Sequence, residues 1–205
     1  MTSLIREPGA INIASRDKTD QSMGEFAHGT VLMLRPSCTV RPALPADVPA
    51  LIELMTALAE FEGYLDEFRV TEAELLARAF GEVAQCQVFV AEQKGALAGY
   101  AVVLEVAFTF DLRPSALLKE LFIEPASRSG GIGKALMTCV ARWALSKGMG
   151  RLKWDVLAGN QNAERFYQRL GGEPDRKWTA YHMDHENLER LAMSDGHDNL
   201  ENESA

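Results

Sequence analysis

LKELFIEPASRSGGIGKALM, residues 118–137, places an apolar strand, a glycine-rich loop and a helix start in direct succession. The strand runs out at Pro125, a short polar loop covers 126–131, and a helix begins between Gly131 and Gly133. Glycines let backbone N–H groups point inward with no Cβ in the way. The helix start adds unpaired donors and the positive end of the helix dipole. Arg128, Ser129, Gly130, Gly131, Ile132, Gly133 and Lys134 together read as an anion cradle for phosphate or pyrophosphate. Two common phosphate loops are excluded. In a P-loop alignment Arg128 replaces the first Gly and Ala135 replaces the magnesium-binding hydroxyl. In a dinucleotide fingerprint Leu136 stands where the third Gly belongs. What remains is R-x-x-G-x-G over 128–133, a cradle in one reading and a ligand-free tight turn in the other.

Outward from this loop the chain alternates strand and helix signals. Upstream, the patterns predict a strand over 39–41 and a helix from Asp47 through Leu58. A second helix over 71–80 opens on Thr71 with Glu74 three residues on, a capping box. Strands follow over 87–91, 97–110 and 117–123, joined by turns into an antiparallel meander. Downstream come a helix over 133–147, a strand over 152–157 and a helix over 163–170 stopped by Gly171 and Gly172. A last strand over 177–183 and a short helix over 185–193 complete the order β-α-α-β-β-β-α-β-α-β. This is an α/β single domain over 39–193, with a mixed central sheet and flanking helices. Residues 1–38 read as a flexible leader with a possible edge strand at 30–34, and 194–205 as an acidic flexible tail.

The 205 residues are 47% hydrophobic and 24% charged, the composition of a soluble globular chain. The net charge of −8 argues against nucleic acid as a partner and suits a cationic small molecule. Cys38, Cys86 and Cys139 form neither a disulfide framework nor a metal knuckle, which fits a reducing compartment. No apolar run is long enough for a membrane span, and the first twenty residues lack the core of a secretory signal. A cytoplasmic protein is expected, with no metal and no membrane partner.

The loop resembles motif A of the GNAT acetyltransferase superfamily, and the chain is most similar to the diamine (spermidine/spermine) and thialysine acetyltransferase group over residues 39–192. TEAELLARAF at 71–80 and FTFD at 108–111 resemble that group's second helix and a strand end. WDVLAGNQNAERFYQRLGG at 154–172 is similar to its signature, with Asn160, Ala163, Phe166, Tyr167, Leu170 and Gly171 in register. The resemblance implies a GNAT-like fold, acetyl-CoA as cosubstrate, a small-molecule amine as acceptor and a homodimer. It implies acetyl-CoA contacts at Leu121, Phe122 and Ile123, those of Leu121 and Ile123 by main chain, and at the 128–134 loop, Asn160 and Tyr167. It also makes Tyr167 the general acid, since a phenol of pKa near ~10 matches a leaving thiolate.

The chain departs from that group at the base. Lys119 stands at the group's Glu, and Glu120 at the neighbouring acidic position is the candidate catalytic carboxylate. Strict strand alternation would turn Glu120 to the other face from Lys119, so it is not a simple substitute: either another group acts as base through water, or the acceptor is not a diamine. Glu62 and Asp111 match acidic positions on the acceptor side, and Gly159 replaces a Trp. His182 and His185 have no third ligand and read as surface residues. Cys139 has no His partner in the sequence pattern, so a covalent cysteine route has no support. The leading function is N-acetyl transfer to a small amine. The alternatives are a peptide or protein N-acetyltransferase and a catalytically weak CoA-binding regulatory module.

Overall fold

The computed structural model describes residues 38–107 and 109–194, together with the backbone of a two-residue strand at 11–12. The expected edge strand at 30–34, Phe108 and the tail from 195 onward lie outside the described residues. The chain divides into two compact units, Met1–Gln161 and Asn162–Ala205.

The first unit is built on one sheet whose strands follow sequence order: β1 (Ile11–Asn12), β2 (Cys38–Pro42), β3 (Gln87–Gln93), β4 (Ala96–Val106), β5 (Ser115–Ile123) and β6 (Arg151–Trp154). β1 through β5 pair antiparallel, and β6 joins β5 in parallel. The mixed sheet expected from the sequence is therefore present. The parallel step needs a crossover, and α3 (Ile132–Ser146) supplies it.

Side-chain alternation gives the central strands β3 and β4 two buried faces. Val88, Val90, Tyr100, Val102 and Phe122 form one core with Leu51, Leu54, Met55 and Leu58 of α1 (Val48–Glu62) and Leu75 of α2 (Glu72–Phe80). The alternate residues face α3, where Phe89 meets Trp143 edge-on at 6.2 Å between ring centres. α1 ends at Gly63, whose φ of 80° is open to glycine at no steric cost. The Tyr64 and Gly63 N–H groups then donate to the Ala59 and Glu60 carbonyls, which holds Glu62 and Tyr64 in place. Thr71 caps α2 by accepting from the Glu74 N–H, while the Glu74 carboxylate turns to Arg78 at 2.9 Å instead of closing the box.

The second unit holds most of α4 (Gln161–Arg169) and all of α5 (His185–Met193). Gly171 and Gly172 end α4 as expected, with Gly172 N–H donating to Tyr167 O and Gly171 N–H to Gln168 O. The strand expected over 177–183 does not form. An apolar alternation makes a strand only beside a pairing edge, and among the described residues this segment has none. Trp178 and Tyr181 are instead exposed.

Candidate active site

β5 carries an extra residue. Val102 of β4 pairs with Glu120, but the next residue, Val103, pairs with Leu118, so Lys119 is bulged out of the ladder. Paired residues in a sheet share a face. Leu118 therefore follows Val103, and Glu120 follows Val102 onto the α1 face. A bulge reverses the side-chain parity of everything beyond it. Simple alternation had set Glu120 apart from Lys119 only by face. The bulge leaves Lys119 exposed and sends Glu120 inward.

There the Tyr100 hydroxyl donates to Glu120 Oε2 at 2.8 Å. Tyr100 itself is wholly buried and its ring lies 6.4 Å from that of Phe122. Burial is the main influence on Glu120 and pushes its carboxyl above the usual range. The Tyr100 hydrogen bond and Lys119 pull it down, and the charge of Glu62 pushes it further up. The same field reaches Tyr64 and Cys86: burial first, then Glu120, raises both. Glu62 and Glu120, far apart in sequence, thus lie close enough for their charges to act on one another and on Tyr64 and Tyr100.

β6 accompanies β5 only as far as the Leu118–Trp154 pair. Beyond it the β6 side of residues 119–123 is splayed. Glu124 N–H donates back to Ala98 O of β4 at 3.0 Å. By alternation, the main-chain groups of Leu121 and Ile123 point the other way, into the splay. Phe122 is core.

The loop that follows is a 3-10 turn at Pro125–Ser127, extended backbone at Arg128, and left-handed residues at Ser129 (φ 67°) and Gly131 (φ 85°). Left-handed residues spaced this way turn successive N–H groups to one side, as anion nests do. Ala135 is the first donor of α3 bonded to a helix carbonyl, that of Gly131 at 3.0 Å. The N–H groups of Ile132, Gly133 and Lys134 precede it and have no acceptor within the helix. Arg128 donates through Nε to Ile123 O at 2.9 Å, and its guanidinium lies 5.4 Å from the Phe61 ring and 5.8 Å from Phe122. It ties the loop to the strand end while keeping a cation beside the nest. Within the first unit, Glu62, Glu120, residues 121–123 and the 128–134 loop are thus disposed around one end of β5.

The other expected residues are placed differently. Asp111 accepts from Thr109 Oγ1 at 2.7 Å, from Arg113 at 2.9 Å and from Arg151 at 3.1 Å. The Thr109 bond first, then Arg113, lowers its pKa to about 2. Its charge is spent on pinning the β4–β5 connection. Asn160 closes a turn by donating its N–H to Leu157 O at 2.9 Å, with Gly159 at φ 83°. The Gly-for-Trp departure thus has a backbone reason, because the turn needs a left-handed residue. Tyr167 lies on α4 in the second unit and meets Phe166 edge-on at 5.0 Å. His182 and His185 are exposed, and no metal-binding group occurs among the described residues. All three cysteines are free thiols.

Tyr100, Tyr64 and Cys86 had no signal in the sequence as site residues. Tyr100 sits in an apolar run, GYAVV, that reads as core. The available clue was its hydroxyl, since a buried phenol needs an acceptor.

Comparison with known proteins gives this geometry a family. Residues 52–172 match the model of the Acetyltransferase (GNAT) family. The chain is 29% identical over 164 residues to a thialysine N-epsilon-acetyltransferase of Bos taurus, covering 75% of this chain and 96% of that protein. It is 30% identical over 82 residues to an L-ornithine N5-acetyltransferase of Arabidopsis thaliana, covering 40% and 36% of the two chains. Among solved structures, an integron cassette protein of V. cholerae superposes with a TM-score of 0.65 at 23% identity, over 77% of this chain and 98% of that one. No helix among the described residues is long and apolar enough to cross a membrane. With the loop, the splayed strand and a family match across both, the chain belongs to the GNAT acetyltransferase family.

Proposed function

We propose that the protein is an acetyl-CoA-dependent N-acetyltransferase acting by direct transfer on a primary amine of a small diamine- or amino-acid-like acceptor. The observation that carries this reading is the inward-turned Glu120 carboxylate, held by Tyr100 and within the field of Glu62, on the strand that leads into the anion loop. The relatives named for thialysine and ornithine support an acceptor of this class.

The N–H groups of Ile132, Gly133 and Lys134, which have no acceptor within the helix, suit the pyrophosphate of acetyl-CoA together with the Arg128 cation and the rest of the 128–134 loop. The Leu121 and Ile123 main chain in the splay suits its pantetheine amides and thioester oxygen, and Asn160 adds a further polar contact. Bound acetyl-CoA supplies the carbon to which the amine adds and the thiolate that leaves. A lysine-like amine, of pKa near ~10.4, arrives protonated. Glu120 takes one proton from it, freeing the lone pair to form the C–N bond. Tyr167 gives its phenolic proton to sulfur as the C–S bond breaks, and recovers the second proton shed by nitrogen. Glu120 then returns its proton to solvent. Glu62 meets the acceptor's other cationic group, while Asp111 stays with its two arginines. The three free thiols support a reducing, cytoplasmic setting. The exposed Trp178, Tyr181, Leu188 and Leu191 support a homodimer.

A free-thiol assay over small amines and basic peptides, with acetyl-CoA, tests the reading. Turnover is expected on diamines or amino acids with a side-chain amine. Turnover on peptides alone would replace the acceptor class, and failure to bind acetyl-CoA by calorimetry would end the proposal. Tyr167→Phe is expected to lower kcat about 100-fold with little change in acetyl-CoA affinity. An equal loss in both would make Tyr167 a binding residue.

A further inference from the structure

Tyr100 has no exposed surface, yet it brings a hydroxyl into a core that its neighbours fill with Val, Leu and Phe. Packing alone would accept Phe at this position. On β4 it pairs with Phe122, one same-face step along from the Val102–Glu120 pair, so its hydroxyl reaches the carboxylate diagonally across the strands. The bulge at Lys119 makes this bond possible, since without it Glu120 would face α3.

We propose that Tyr100 is a positioning residue for the reaction: its phenol holds one oxygen of the Glu120 carboxylate and leaves the other to meet the acceptor's ammonium group. The inference rests on Glu120 being the base. The charged and titratable groups facing Glu120 are Glu62 at the end of α1, Tyr64 just beyond it, Cys86 before β3, Tyr100 on β4 and Lys119 in the bulge. They act in opposite directions. A hydrogen bond to a carboxylate favours its ionised form, while burial and a second carboxylate favour the protonated one. The Tyr100 hydrogen bond therefore favours the ionised base, against burial first and then the charge of Glu62.

The test is kcat/KM against pH for the wild type, Tyr100→Phe, Glu62→Gln and Glu120→Gln. The probes are acetyl-CoA with thialysine, ornithine or spermidine as acceptor. In Tyr100→Phe the acid limb is expected to move to higher pH. Activity then falls about tenfold at neutral pH, the loss of one charge-assisted hydrogen bond, and recovers on the alkaline side. In Glu62→Gln the limb moves the other way, to lower pH. A packing defect would lower the whole curve without moving the limb. The carbon-13 shift of the Glu120 carboxyl, followed without turnover, should titrate at higher pH in Tyr100→Phe. If Glu120→Gln is inactive while the Tyr100→Phe limb and carboxyl titration stay at the wild-type pH, Tyr100 is only a core residue and the inference fails. If Glu120→Gln keeps full activity, the base assignment fails first.

Discussion

Glu120→Gln is expected to lower kcat by about 10²–10⁴-fold, the contribution of a positioned general base, while acetyl-CoA affinity stays unchanged. The amide keeps an oxygen to accept from Tyr100, so the local geometry survives and only the proton acceptor is lost. The same change should raise the melting temperature at neutral pH. Burial, the largest influence, holds the folded-state pKa of Glu120 above the ordinary carboxylate range. The folded protein therefore favours the protonated form of Glu120 more than the unfolded chain does. Its contribution to stability is fully present below the unfolded pKa and is lost as pH rises through the folded one. Gln removes that cost, so the gain in melting temperature is present at pH 7 and vanishes below about pH 4.5. Thermal melts at both pH values, with steady-state kinetics, check the pair of effects. A variant both inactive and destabilised at pH 7 would contradict the picture of a buried, costly charge.

Gly99→Ala is expected to cost about 1–3 kcal/mol, the range for overpacking a close-packed site. Gly99 is buried and pairs with Ile123 at the end of β5. A Cβ there would stand 2.6 Å from the Phe122 carbonyl oxygen and 3.3 Å from the Ile123 Cα. Both are backbone atoms of the neighbouring strand, so no side-chain rotation relieves the clash. Glycine within a strand marks such an approach. A chain of this size should lose about 2–4 °C in melting temperature per kcal/mol. Pushing β5 outward at Ile123 also disturbs the carbonyl that accepts from Arg128. The KM for acetyl-CoA should therefore rise, whereas in Glu120→Gln it does not. A Gly99→Ala variant that melts and binds like the wild type would mean that this end of the sheet yields freely.

Much of the fold was legible because its signals are local. The helical spacing of Leu51, Leu54, Met55 and Leu58, the Thr71 cap and the glycine stop after α4 each depend on neighbours a few residues away. The 118–137 loop was legible for the same reason: strand, turn and helix start are contiguous. The misread element, 177–183, shows the limit. Its alternation is real, but a strand exists only where another edge receives it, and residue order does not disclose that edge.

The site divides along the same line. From the sequence alone came the nest of donors at 128–134, carried by residue type and short spacing. The candidacy of Glu62, Glu120 and Tyr167 came from the resemblance of their positions to those of the acetyltransferase group. The role of Asp111 was open to revision because one of its partners, Arg151, lies far away in sequence at the start of β6. The face of Glu120 was decided only by tertiary structure. Strand parity is fixed by pairing with β4, and a single extra residue at Lys119, invisible to any period-two reading, reverses it. That reversal puts the carboxylate against Tyr100 and within the field of Glu62. It is a non-local effect, since it comes from the register that two strands adopt together.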